Sequence, residues 1–133
     1  KKEKQFYALV LAAQQKPLSK VKHGAKGSDL FEISAKRLGK YRKNFIHGLG
    51  HGLGKRIHIK PYMKSTSFDV LKEGDIVTVE PGIYFKNKFG IRIEDDYLVT
   101  RNGARRLTKT TNKLVVLSLP KGADSYVKEF KSH

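Results

Sequence analysis

The sequence has no cysteine and no tryptophan, and only one methionine and four prolines in 133 residues. Without thiols it can form neither a disulfide nor a thiolate metal site, and a reducing compartment, the cytoplasm, is expected. No apolar run approaches the length of a membrane span or a signal core, so a soluble chain with no membrane partner is expected. Acidic residues are scarce as well: 12 Asp and Glu stand against 28 Lys and Arg, a formal charge of +16. The scarcity is greatest in residues 1–64, where Glu3, Asp29 and Glu32 face 16 basic side chains. An initiator methionine is also missing, Lys1 standing first, as expected of a processed product or a fragment.

What is present amounts to one domain at most. A chain 38% hydrophobic and 30% charged is lean for a self-sufficient core. The positive surplus raises a polyanion partner, because released counterions favour nucleic-acid binding. The lysines, however, are spread along helices and loops, and no nucleic-acid motif is recognisable. Nucleic acid is therefore not the expected principal partner.

Two helices come first. Phe6, Leu9, Val10 and Ala13 recur at helical spacing between about Glu3 and Lys22, with Pro17 placed to kink or shorten the helix. Residues 23–27 read as a loop. Ser28 or Asp29 can cap a second helix, with Glu32 completing a capping box if Asp29 is the cap. Leu30, Phe31, Ile33, Ala35 and Leu38 form its buried face, and Gly39 suits its end. Short β segments follow: Phe45-Ile46, Ile57–Ile59, Asp75–Glu80, Ile83–Phe85, Phe89–Thr100, Ala104–Thr108 and Leu114–Leu117. Side chains alternate along a strand, so Val77 and Val79 oppose Thr78 and Glu80, and Ile91 and Ile93 oppose Arg92, Glu94 and Asp96. Two helices followed by strands without a βαβ rhythm predict an α+β fold, the helices packed on a curved, mostly antiparallel sheet. Residues 121–133 read as a short terminal helix or a tail.

The most unusual segment runs from His47 to His58. Gly48, Gly50, Gly52 and Gly54 alternate around His51, and such a run lets backbone approach a ligand or another chain closely. The glycines rule against a helix, so the metalloprotease pairing of His residues four apart on a helix does not apply. In an extended strand His47 and His51 share a face. Glu80 ends the apolar strand Val77-Thr78-Val79, where a carboxylate is expensive to bury unless paired or bound to metal. Glu94 lies in Ile91-Arg92-Ile93-Glu94-Asp95-Asp96. One imidazole and two carboxylates would suit manganese, iron, cobalt or zinc. Spacing alone leaves a second reading open, with His51 a satisfied buried histidine, Glu80 paired to a lysine and Glu94 paired to Arg92. His23 and His133 are read as structural.

Taken in order, the segments 45–54, Val77-Thr78-Val79-Glu80-Pro81-Gly82-Ile83-Tyr84 and Gly90-Ile91-Arg92-Ile93-Glu94-Asp95-Asp96 resemble the proline-specific pita-bread peptidases, prolidase and aminopeptidase P. The likeness runs over roughly residues 5–117 and is weaker to the methionine aminopeptidases. It implies the C-terminal half of a pita-bread catalytic domain over residues 1–120, hydrolysing bonds next to proline as an Xaa-Pro dipeptidase or aminopeptidase. It implies His51, Glu80 and Glu94 as metal ligands, Glu80 also as a proton shuttle and Glu94 as the bridge between two ions. It implies His47 and His58 as pocket histidines that stabilise the tetrahedral intermediate, and Arg92 as the group orienting the bridging carboxylate or the substrate. The implied cofactor is a pair of divalent ions, Mn2+, Co2+ or Zn2+, and the implied partner a proline-containing peptide, with a homodimer a further option.

The sequence also departs from that family. Two aspartate ligands precede the family's equivalent of the first helix, and nothing in residues 1–7 supplies them. The chain by itself is therefore expected to hold at most one weak metal site, and to need an N-terminal half from the same or a separate chain. Lys55, Arg56, Ile59 and Lys60 stand where apolar or acidic residues are usual, and are expected to add positive charge near the pocket. The competing class is a pita-bread module that has lost catalysis and binds peptide, histone or nucleic acid.

Overall fold

A computed structural model describes residues 2–117. The expectations for residues 121–133 and for His133 lie outside the described residues. Two helices, α1 (Lys2–Leu18) and α2 (Gly27–Arg37), are followed by a 3-10 turn (Gly39–Asn44) and seven strands. These are β1 (Gly50–Gly52), β2 (Ile59–Met63), β3 (Ile76–Val79), β4 (Gly82–Phe85), β5 (Phe89–Arg92), β6 (Asp95–Val99) and β7 (Ala104–Arg106). A five-stranded sheet has the order β2-β1-β3-β6-β7, and β4 with β5 makes a separate hairpin. Every strand pair is antiparallel. The α+β expectation, two helices on an antiparallel sheet, is met.

The helical spacing in α1 buries Val10 and Ala13 completely and places Phe6 against Tyr41, Phe85 and Phe89 at ring separations of 5.0–5.4 Å. Pro17 is accommodated in the last turn, and the helix ends one residue later. Leu30, Ala35 and Leu38 join them from the second helix, and Val77, Val79 and Val99 come from the sheet. Each fully buried aliphatic side chain contributes about 1.5–3 kcal/mol. The alternation of Val77 and Val79 against Thr78 and Glu80 is present, but both faces of β3 are covered: Thr78 and Glu80 are also buried.

Four local expectations need correction. The second helix starts at Gly27 and has no side-chain cap. The Gly27 N–H donates to the Asp69 carbonyl at 2.9 Å, and Lys26 bridges to Val70. A neighbouring loop thus satisfies the first N–H of the helix, which begins ahead of Ser28 and Asp29, and Glu32 pairs with Arg42 at 2.7 Å instead of closing a box. Phe45-Ile46 is not a strand, because the 3-10 turn carries Phe45 into a stack on Phe31 and leaves Ile46 exposed. The expected strand 89–100 is broken at Ile93-Glu94, where the chain leaves the hairpin for the main sheet. Leu114–Leu117 forms no strand and is largely exposed.

No helix of the described residues is long and apolar enough to cross a membrane.

Candidate metal and substrate site

The glycine segment does what alternating glycines allow. A side chain at Gly50 would collide with the Thr78 carbonyl, and one at Gly52 with the Lys60 carbonyl. Both neighbours are backbone and cannot swing away, so β1 fits between β2 and β3 only without Cβ atoms here. The consequence is that the His51 side chain, between the two glycines, is held against the end of β3. His51 Nε2 lies 3.2 Å from Glu80 Oε1.

Thr78 fastens this pair. Its hydroxyl accepts from the His51 backbone N–H at 3.1 Å and donates to Glu80 Oε1 at 2.9 Å. The other imidazole nitrogen, Nδ1, is 3.0 Å from the Gly52 carbonyl, which can only accept, so the proton sits on Nδ1. In a neutral ring this leaves a lone pair on Nε2 facing a carboxylate oxygen, and in a charged ring Nε2 donates to that oxygen as an ion pair. Two electron-rich atoms at that separation are held together favourably only with a proton or a cation between them.

His47, His51, His58, Glu80 and Arg92 line one cleft of about 400 Å³, together with Tyr62 and Lys64. The His58 ring stands edge-on to His51 at 4.4 Å. His47 is pinned by both nitrogens: Nδ1 donates to the Gly48 carbonyl at 2.7 Å, and Nε2 accepts from the Tyr84 hydroxyl at 2.8 Å. Arg92 reaches Glu80 Oε2 at 3.8 Å and Glu94 Oε2 at 3.5 Å, so one guanidinium spans both carboxylates. Glu94 is not in the cleft wall; it joins the site through Arg92. Burial, and next the charge of Glu80, hold its carboxyl above the usual glutamate range, with Arg92 opposing. Among the described residues no group of three or more His, Asp or Glu side chains is gathered tightly enough to hold a metal ion.

None of Lys55, Arg56, Ile59 and Lys60 lines the cleft itself. Lys60 turns to Asp69 at 3.2 Å and lines a different cavity, while Lys64 and Arg92 are the cations of the cleft. His23 is structural, accepting from the Glu73 N–H at 3.1 Å. Thr78 and Tyr84 were not among the candidate residues. Thr78 had a signal, since it precedes Glu80 by two in a strand and must share its face. Tyr84 had none, lying 37 residues from His47.

The model of metallopeptidase family M24 matches residues 1–101. The Xaa-Pro dipeptidase of Pyrococcus furiosus is 42% identical over 116 residues, which cover 86% of this chain and 33% of the relative. Among solved structures, the prolidase from Pyrococcus furiosus superposes with a TM-score of 0.80 over 84% of this chain and 34% of its own. The X-Pro aminopeptidase from Thermotoga maritima, 35% identical, gives 0.83 over 87% and 34%. The chain spans about a third of the length of the curated relatives it matches.

Proposed function

We propose that this chain, which belongs to metallopeptidase family M24, supplies over residues 1–120 the C-terminal half of a pita-bread catalytic domain that hydrolyses peptide bonds next to proline. Relatives named as an Xaa-Pro dipeptidase and an X-Pro aminopeptidase put both substrate lengths within the proposal. Those names lend no support to a non-catalytic binding module.

The observation that carries the reading is the His51–Glu80 pair. A lone pair on Nε2 and a carboxylate oxygen 3.2 Å away form a mixed nitrogen and oxygen donor set. That set fits a divalent ion of the manganese, cobalt or zinc type. In the proposed roles His51, Glu80 and Glu94 would hold the divalent ions. Two aspartates from an N-terminal half, in the same or a separate chain, complete the set. When bound, the divalent ions supply activation of water and polarisation of the scissile carbonyl.

The rest falls to the chain's own side chains. The Gly52 carbonyl fixes the His51 tautomer, as outer partners of ligating histidines generally do. The Thr78 hydroxyl orients Glu80, whose Oε2, on the Arg92 side, can hold and return a proton. Arg92 keeps the two carboxylates from repelling each other apart. His47 and His58 flank the cleft, where an N–H donor can meet the oxyanion that develops at the cleaved bond. For His47 this requires the Tyr84 hydroxyl to give way and Nε2, which accepts from it, to take up a proton.

The test is hydrolysis of Xaa-Pro dipeptides and longer X-Pro peptides with manganese or cobalt, by the protein carrying this chain together with the portion that brings the aspartates. His51→Ala and Glu94→Ala should each abolish turnover; full activity in both would end the metal-centred reading.

A further inference from the structure

We propose that Gln14 is a positioning residue: its buried amide in α1 fixes the separation of the two strand ends that carry Glu80 and Glu94. The inference rests on the reading of those two acids as ligands, and its test is separable from that reading.

Gln14 lies one helical turn beyond Val10, on the face where α1 otherwise buries apolar side chains, and is itself 0% exposed. A buried amide is costly unless its hydrogen bonds are made. Its Nε2 is 2.9 Å from Asp95 Oδ2, 3.2 Å from the Val79 carbonyl and 3.4 Å from the Ile93 carbonyl. Those carbonyls belong to the residues directly before Glu80 and before Glu94, and Asp95 directly follows Glu94. Reversing the amide would set its oxygen against three acceptors, so the chemistry fixes the orientation. As placed, Oε1 accepts from Asn112 Nδ2 at 3.4 Å.

The location matters because the ladder between β3 and β6 ends here. Val79↔Asp95 is its last rung, and Glu80 and Glu94 follow in the gap before the same two chains pair again at Gly82↔Arg92. The Gln14 amide bonds to both chains at that interruption, beside the single backbone bond from the Ile93 N–H to the Pro81 carbonyl. It is anchored in turn, since Asp95 also accepts from Arg106 at 2.6 Å and from Asn112 at 3.1 Å. A satisfied network in a low-dielectric interior is stiff, and a change of one member moves the others.

Two variants of the full chain separate positioning from bulk stability. Gln14→Met keeps the length and removes every donor; Val10→Ala loosens the same helix face and touches none of these groups. Amide exchange, without metal, reads the strand ends through the Glu80 N–H, bonded to the Leu49 carbonyl at 2.7 Å, and the Ile93 N–H, bonded to the Pro81 carbonyl at 3.3 Å. Gln14→Met should speed exchange at those two amides about tenfold relative to the rest of the core, whereas Val10→Ala shifts all core amides together. Manganese affinity should fall about 10–100-fold in Gln14→Met, the usual loss when a ligand's support is removed. If Gln14→Met does not fold, Gln14→Asn draws the donor back by one methylene and should give the same pattern. Exchange at residues 80 and 93 no faster than in Val10→Ala overturns the role, as does unchanged manganese affinity. A wild type that takes up no manganese defeats the metal reading alone, and the exchange pattern still decides for or against Gln14.

Discussion

His51 and Glu80 are 29 residues apart in sequence, yet Nε2 of one stands 3.2 Å from Oε1 of the other, with the hydroxyl of Thr78 bonded to both residues. Three ordinary facts produce this. Glycines on both sides of His51 let β1 press against the backbone of its neighbours. The two-residue period of β3 turns Thr78 and Glu80 to the same face. The Gly52 carbonyl takes the Nδ1 proton and leaves Nε2 facing the acid. A pair arranged in that way is a ligand set in which each atom has a cause in the local chain.

Thr78→Val keeps the shape of the side chain and removes the hydroxyl. The His51 N–H and Glu80 Oε1 both lose a partner in a buried place, a cost of about 1–3 kcal/mol. Denaturant midpoints should show that loss, and calorimetry should show weaker manganese binding. Valine at wild-type stability would mean the hydroxyl is replaceable.

Gly50→Ala should be among the most damaging single changes in the chain. Its Cβ would enter the Thr78 carbonyl, and overpacking of this kind costs about 1–3 kcal/mol or more. The same change at Gly24, where an added Cβ meets nothing, acts only through backbone strain at a φ of +83°. Equal denaturation midpoints for Gly50→Ala and wild type would contradict the close approach of β1 and β3.

Asp69 gives the chain an acid-sensitive joint. The backbone N–H of Tyr62, donating at 2.9 Å, is the main cause that holds its carboxyl below the ordinary value of 3.8, with Lys60 assisting and burial opposing. A lowered folded-state pKa stabilises the fold above the unfolded value, and the contribution is lost as pH falls through the folded one. Melting temperature should therefore drop as pH falls below about 4, with a shallower drop in Asp69→Asn. Parallel curves for the two proteins would show that Asp69 is not the group responsible.

The charge of +16 predicts weak, sequence-independent attraction to nucleic acid and no more. A labelled oligonucleotide should bind at low salt and be released near physiological salt, with the same curve for wild type and His51→Ala. Micromolar binding that survives physiological salt would favour a nucleic-acid module.

Much of this was legible in the chain, and the failures share a cause. The Val77, Val79 alternation, the helical spacing of α1 and the glycine run are local patterns, and each formed the element that its period dictates. The break at Ile93-Glu94 was not legible, because the residues on both sides are equally strand-like and only the separate sheets reveal it. The cap of α2 was misread because its acceptor is Asp69, 42 residues from Gly27 in sequence. Arg92 was legible as a partner of Glu94, but its reach to Glu80 was not, since that depends on the pairing of β4 with β5, which sets Gly82 opposite Arg92. Gln14 had a faint signal, a polar residue one turn from Val10 on an apolar face, and its partners come from the far end of the chain.

The most direct measurement is a calorimetric titration of manganese into the chain, wild type beside His51→Ala. The account predicts one weak site per chain in the wild type and none in the variant. Identical isotherms for the two proteins, whether both bind or neither does, would contradict it.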